Sequence, residues 1–353
     1  MKRSEQHFYG CLVGGAIGDA LGAPIEFMSY DKILKIYGEK GLTHFSFDKD
    51  IQYALITDDT QMTLFTAEGI IRSVARERQS KLERTTTEKV ISIFRAYLRW
   101  LYTQGLKTPH WPSQAYDGWL VKTKALHAYR APGVTAITIL GKGVMGTIKN
   151  PINDSKGCGA ITRVAPIGLV ENEENVFDMG MRAAAITHGH PTGYLAAGTL
   201  TTIIYYIMQG EELLEAIHKA LNNLRQKESS WECVTAIEKA ITLAKEGEPS
   251  YEKVKTLGLG LIAEEALAIA IYAVLSYPND FKKALLLAVN HDGDSDSTGA
   301  IAGNILGAYL GAGSIEKELI NDIELSREIQ QISPDLFILF EEGEAWQNKY
   351  PAW

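Results

Sequence analysis

Glycine recurs at every fourth position in two places near the ends of this chain: Gly10, Gly14, Gly18 and Gly22, then Gly299, Gly303, Gly307 and Gly311. On a helix each set lines one face, and every glycine inside a helix costs about 1 kcal/mol relative to alanine. Eight of them form a local penalty that close backbone packing must offset. The spacing therefore predicts two helices in the middle of the fold, packed tightly on their neighbours and on each other. A membrane pair of the GxxxG kind is the alternative. Asp19 interrupts the first segment, and the apolar lengths fall below the roughly 18 to 20 residues of a span, which argues against it.

The remainder of the chain also reads as helix. Met62, Leu64, Phe65, Ile70, Ile71 and Val74 recur at helical spacing, as do Val90, Ile93, Phe94, Tyr97 and Leu98. No series of alternating runs separated by hairpin dipeptides is present, and only short stretches such as 42–47 have the pattern of a strand. Helices are expected at roughly 7–21, 61–77, 87–103, 113–128, 176–187, 191–208, 211–225, 230–246, 261–276, 279–289 and 297–312. Irregular stretches fall at 22–57, 104–112 and 141–166, and loops of this length in a compact domain are usually functional or disordered. No linker rich in Pro, Gly or Ser divides the chain, so the expectation is one all-α domain over 1–353 with working loops.

A formal charge of -8 argues against a nucleic-acid surface, and no Lys/Arg-rich run overrules it. Cys11, Cys158 and Cys233 are odd in number and widely spaced, without a CxxC. They indicate neither a disulfide framework nor a cysteine zinc site, and a reduced, cytoplasmic setting fits them best. The N-terminus has a basic start and an apolar stretch, but Asp19 breaks it and no export site follows.

Chemistry is concentrated in two acidic clusters, Thr57-Asp58-Asp59-Thr60 and Asp292-Gly293-Asp294-Ser295-Asp296-Ser297-Thr298. Carboxylates this dense repel one another unless cations or protons intervene, and hard divalent cations take oxygen ligands of this kind. A magnesium or manganese site is the first expectation. Within a helix Asp294 and Asp296 would point about 200° apart, so aiming both at one site requires a loop or a first, non-helical turn. Ser297 or Thr298 can serve as N-cap there, and acidic groups are favoured at a helix N-terminus. Capping alone would explain one such cluster; two of them, each running into an apolar segment, point to an interior site. An EF-hand loop is excluded, because Ser297 and Gly303 stand where it needs Gly and Glu. Thr187-His188-Gly189-His190-Pro191 places two histidines at a turn between helices, better suited to substrate contact or turn stabilisation than to zinc. The loop 157–163 is glycine-rich, and its backbone N–H groups could hold a phosphate, though it matches neither a P-loop nor a dinucleotide fingerprint.

Four segments in order, GGAIGDALGAPIEF (14–27), ITDDTQMTL (56–64), THGHPTGYLAAG (187–198) and HDGDSDSTGAIAGNILGA (291–308), together resemble the ADP-ribosylglycohydrolase family. That family includes the dinitrogenase-reductase-activating glycohydrolases and the ADP-ribosylarginine hydrolases. The resemblance implies a compact orthogonal multi-helix bundle with two divalent cations, Mg2+ or Mn2+, at its centre. It implies that Thr57, Asp58, Asp59, Asp294, Asp296 and Ser297 hold the metal pair, and that Glu26, Asp58, Asp59 and Asp296 form the catalytic set. Glu26 and His188 would meet substrate, with the loop at Gly157, Cys158 and Gly159 wrapping the diphosphate of ADP-ribose. Gly157-Cys158-Gly159 replaces the family's usual Gly-Ser or Gly-Asn step. Asp19 would be structural. The implied activity is hydrolysis of the bond between ADP-ribose and a modified protein side chain, arginine first. Alternatives are serine-linked or small-molecule ADP-ribosyl substrates, or an immunity role against an ADP-ribosylating toxin. Neither nucleic acid nor membrane is an expected partner.

Overall fold

The computed structural model describes residues 3–47, 51–109, 111–112 and 115–352. Its first third holds α1 (Glu5–Gly22), α2 (Tyr30–Tyr37), α3 (Asp58–Ser80), α4 (Thr86–Thr103), α5 (Trp119–Lys122) and α6 (Val134–Gly141). The middle holds α7 (Ala165–Val170), α8 (Val176–Ala185), α9 (Pro191–Gln209), α10 (Leu213–Arg225), α11 (Trp231–Ala244) and α12 (Tyr251–Leu257). The last part holds α13 (Ala263–Ser276), α14 (Phe281–Val289), α15 (Ser295–Leu310), α16 (Lys317–Asn321), α17 (Ser326–Ile338) and α18 (Glu344–Lys349). Among the described residues there is no strand, only isolated bridges at Ala54–Ile323 and Gly157–Ile262. The stretch 42–47 is irregular rather than extended into a sheet.

The glycine-spaced helices α1 and α15 lie antiparallel, backbone against backbone. A Cβ on Gly10 would collide with the Gly307 carbonyl, one on Gly14 with that of Gly303, and one on Gly18 with that of Gly299. The reciprocal additions on Gly299, Gly303 and Gly307 would collide with Gly18, Gly14 and Gly10. Asn304 closes the seam by donating from Nδ2 to the Cys11 carbonyl at 2.8 Å. Taken with its following turn, the first helix is long and apolar enough to cross a membrane, so the length argument against a span does not hold. Burial decides the matter: most of that segment is covered by other helices, Asp19 included.

Around this pair the buried apolar residues form one cluster that extends from Phe8 to Tyr350. The long helices occupy nearly the expected positions. The expected helix at 113–128 is broken instead into α5 and a 3-10 turn at Lys124–His127, and positions 113 and 114 lie outside the described residues. Helices α2, α6, α7, α12, α16, α17 and α18 are additional to those read from the pattern. The first four are eight residues or shorter, which is too few for the apolar period to register.

Candidate active site

Both acidic clusters sit at helix N-termini that face one another beside the α1–α15 seam. Thr57 caps α3, its hydroxyl accepting from Asp59 N at 3.3 Å. Asp294 caps α15, accepting from Ser297 N at 3.3 Å. The cap is thus Asp294 rather than Ser297 or Thr298, both of which lie in the first turn. This resolves the angular problem, because Asp294 is outside the helix while Asp296 is within its first turn, where Oδ1 accepts from Ser297 N at 2.9 Å. Capping and clustering are therefore performed by the same residues.

Asp19, wholly buried in α1, supports the first cluster from behind. It accepts from Thr57 N at 3.0 Å, from Thr60 N at 3.1 Å and from the Thr60 hydroxyl. Asp59 bridges the two clusters: its Oδ2 accepts from the Ser297 hydroxyl at 2.9 Å and its Oδ1 from the Thr162 hydroxyl at 2.6 Å. Asp58 is half-buried and accepts from Gly133 N at 3.0 Å. Glu26 follows the turn after α1. Its chain is held to the second cluster by Phe27 N, which donates to the Gly293 carbonyl at 2.9 Å, and Phe27 itself has a left-handed φ of 56°. Glu26, Asp294 and Asp296 place carboxylate oxygens within 4.8 Å of one another.

Such proximity has an electrostatic cost. Burial, then the charges of Asp294, Asp58 and Asp19, pushes Glu26 up to about 7. Burial pushes Asp58 up to about 7 as well, against the Gly133 N–H that favours its charged form. Asp59 and Asp296 are raised well above the usual carboxylate range, by burial first and by neighbouring carboxylates second. A cation among these oxygens would remove the repulsion that raises them. The donors fit a hard ion, since they are carboxylates and hydroxyls. The one sulfur beside them, Cys158, is a thiol whose pKa burial raises further and whose S–H donates to Asp294 Oδ2 at 2.9 Å.

The glycine-rich loop lies directly above the second cluster, joined to it through Cys158, with Cys158 N donating to the Leu261 carbonyl at 3.1 Å. His188 packs beneath this loop: a Cβ on Gly157 would fall 3.5 Å from its Nε2, and one on Gly159 would fall 3.9 Å from its Cε1. His190, by contrast, caps α9 by accepting from Thr192 N at 3.2 Å. Asp292 turns away from the other carboxylates. It accepts from Tyr30 N at 2.7 Å and from the Tyr251 hydroxyl, fastening α2 and α12 to the acidic loop. Thr162 and Arg163 fall within the loop 157–163 read as a phosphate holder, but their side-chain partners, like the Gly133 N–H, are not legible in the sequence. A hydroxyl or an N–H that completes a carboxylate from 75 or 103 residues away leaves no local signal.

An all-helical fold built on an antiparallel glycine seam, with carboxylates from three distant segments meeting under a glycine-rich loop, defines a class of hydrolytic site. Residues 1–346 match the family model for ADP-ribosylglycohydrolase, and the chain belongs to that family and is an enzyme of that class. It is similar to the ADP-ribosyl-[dinitrogen reductase] glycohydrolase of Rhodospirillum rubrum, 25% identical over 328 residues that cover 91% of this chain and 92% of that one. It is also similar to ADP-ribosylarginine hydrolase Tri1 of Serratia proteamaculans, 27% identical over 333 residues, covering 94% of this chain and 78% of that one. A solved structure of an ADP-ribosylglycohydrolase-related protein complex aligns with a TM-score of 0.59 at 23% identity, over 96% of this chain and 99% of that one. This last likeness speaks to the fold alone.

Proposed function

We propose that this protein hydrolyses the glycosidic bond joining ADP-ribose to an arginine side chain of a modified protein, with two Mg2+ or Mn2+ ions as cofactors. The observation that supports the reading best is the meeting of Glu26, Asp294 and Asp296 within 4.8 Å under a glycine-rich loop. Of the two relatives named above, the one named for ADP-ribosylarginine favours arginine among the linkages.

Thr57, Asp58, Asp59, Asp294, Asp296 and Ser297, with Glu26 beside them, would hold the cation pair. When bound, that pair supplies Lewis acidity that orients ribose hydroxyls and lowers the pKa of a water near neutral pH. The chain's own residues do the rest. The loop at Gly157, Cys158 and Gly159 binds the diphosphate, with the Gly159 N–H as its donor because Cys158 N is held by the Leu261 carbonyl and Gly157 N by the Ser155 hydroxyl, and His188 contacts the substrate from below. Cleavage develops oxocarbenium-like positive charge at the anomeric carbon, and the clustered carboxylates stabilise it. Glu26 and Asp58, at the edge of the acidic cluster, accept the proton of the attacking water and are kept ionised for that role by the cations.

The test is release of ADP-ribose from arginine-, serine- and cysteine-modified proteins in Mg2+, Mn2+ or chelator. Asp58→Ala, Asp59→Ala and Asp296→Ala should each lose metal binding and turnover together. Full hydrolysis in excess chelator would sink the metal-dependent reading, and preference for the serine-linked substrate would sink the arginine one. Rescue of cells from an ADP-ribosylating toxin by the Asp58→Ala variant would favour an immunity role by binding.

A further inference from the structure

Arg163 is 0% exposed, and among the described residues no carboxylate forms an ion pair with it. Its guanidinium lies over the Tyr97 ring at 4.5 Å, Nη1 approaches the Met62 sulfur at 3.5 Å, and Nε has no partner. A buried guanidinium without a carboxylate partner is costly, so its shortest hydrogen bond carries information. Nη2 donates to the Thr187 hydroxyl at 2.5 Å, and that oxygen lies 2.8 Å from His188 Nδ1.

The proton inventory fixes the direction of this chain. Arginine can only donate, so one lone pair of the Thr187 oxygen is occupied. Thr187 is fully buried, and the acceptor given for its own proton among the described residues is His188 Nδ1. If Nδ1 carried the imidazole proton, the hydroxyl proton would be stranded in the interior. The proton therefore belongs on Nε2, the ring nitrogen that faces Gly157 and makes no hydrogen bond among the described residues. Positions 157 and 159, which lie against the Nε2 and Cε1 edge of the ring, are both glycine, so no side chain from either covers that edge.

We propose that Arg163 and Thr187 are positioning residues for substrate binding, which fix His188 as the Nε2-protonated tautomer so that it presents a neutral N–H donor to an oxygen of the bound ADP-ribose. The role rests on the ADP-ribose reading above, whereas the tautomer is independent of it. A neutral donor suits a site already crowded with charge, because it grips a phosphate or hydroxyl oxygen without pairing to the carboxylates nearby.

The test combines imidazole 15N NMR, with His188 assigned through a His188→Gln variant, and calorimetric titration with ADP-ribose. Wild-type protein should show Nε2–H at His188. Thr187→Val should give a mixture or the Nδ1–H form and weaken ADP-ribose binding about tenfold, the loss expected for one misdirected hydrogen bond. Thr187→Ser, which keeps the hydroxyl, should restore both to within about twofold of wild type. Arg163→Met, which retains packing over Tyr97 but removes the donor, should also give mixed tautomers and serves if Thr187→Val does not fold. Nδ1–H in the wild type, or an unchanged tautomer in Thr187→Val or Arg163→Met, overturns the relay whether or not ADP-ribose binds. Wild-type protein that bound no ADP-ribose would overturn the substrate reading and the positioning role with it.

Discussion

Asp19 receives Thr57 N, Thr60 N and the Thr60 hydroxyl, and none of its surface reaches solvent. Burial alone would drive this carboxylate far up; the bonds it accepts hold it to about 6. Truncation would leave two backbone N–H groups unpaired at the N-terminus of α3, each costing about 1 to 3 kcal/mol. Asp19→Ala should therefore lower stability by about 2 to 4 kcal/mol in urea unfolding. Because Thr57 to Asp59 hang from that carboxylate, Mn2+ affinity should fall about 10- to 100-fold in calorimetric titration, as for other supports of a metal site. Unchanged affinity in a folded variant would show that the first cluster positions itself without Asp19. The acidic clusters themselves were legible in the sequence because each concentrates like charges within a few residues. Their supports were not, since Asp19 reaches Thr57 and Thr60 across 38 and 41 positions. Asp292 shows the converse. It belongs to the second cluster by spacing, yet Tyr30 and Tyr251 take both of its oxygens.

At the scale of elements, the seam between α1 and α15 fixes where the two cluster-bearing ends meet. The Gly303 face lies on the Gly14 backbone, which cannot move aside as a flexible side chain could. Gly303→Leu should destabilise the protein by about 3 kcal/mol or more, at the upper end of overpacking costs, or abolish soluble expression. Gly141, at the end of α6 with open space around it, is the control: Gly141→Ala should be neutral or stabilise by up to about 1 kcal/mol. Equal unfolding midpoints for the two variants would refute the close-packed seam. The four-residue glycine period made this pair readable, because so repeated a penalty has few physical uses. Helix α17 was not read, although Ile329, Ile332, Ser333 and Leu336 line its buried face, because Pro334 sits inside it and normally argues for a break. The short helices around the site were hidden for a different reason: their positions are set by what they touch, as α2 is by Asp292 at its first residue.

For the molecule as a whole, stability and function meet in the buried carboxylates. Glu26 and Asp58 have folded-state pKa values of about 7, above their ordinary 4.5 and 3.8. The folded state therefore binds more protons than the unfolded chain between roughly 4 and 7, and this contribution to stability is lost as pH rises through 7. His188 and His291 act in the opposite sense. Burial depresses them to about 3 and about 4, so below about 6.5 the unfolded chain gains protons that the folded protein refuses, and stability falls on acidification. Asp19, raised to about 6, and Asp59 and Asp296, raised well above the usual range, add to the carboxylate side and outweigh the two histidines, so in chelator the unfolding temperature should fall as pH rises from 5 to 8.5. Bound Mg2+ or Mn2+ favours the ionised carboxylates, which removes that decline and leaves only the histidine-driven loss in acid. At a free cation concentration a hundredfold above Kd, the gain near pH 8 should be about 2.7 kcal/mol, a rise of several degrees for a chain of this size. Calorimetric scans from pH 5 to 8.5, in chelator and in Mn2+, separate these contributions. A parallel pair of pH profiles would mean that the cation, if bound at all, does not sit among Glu26, Asp58 and their neighbours.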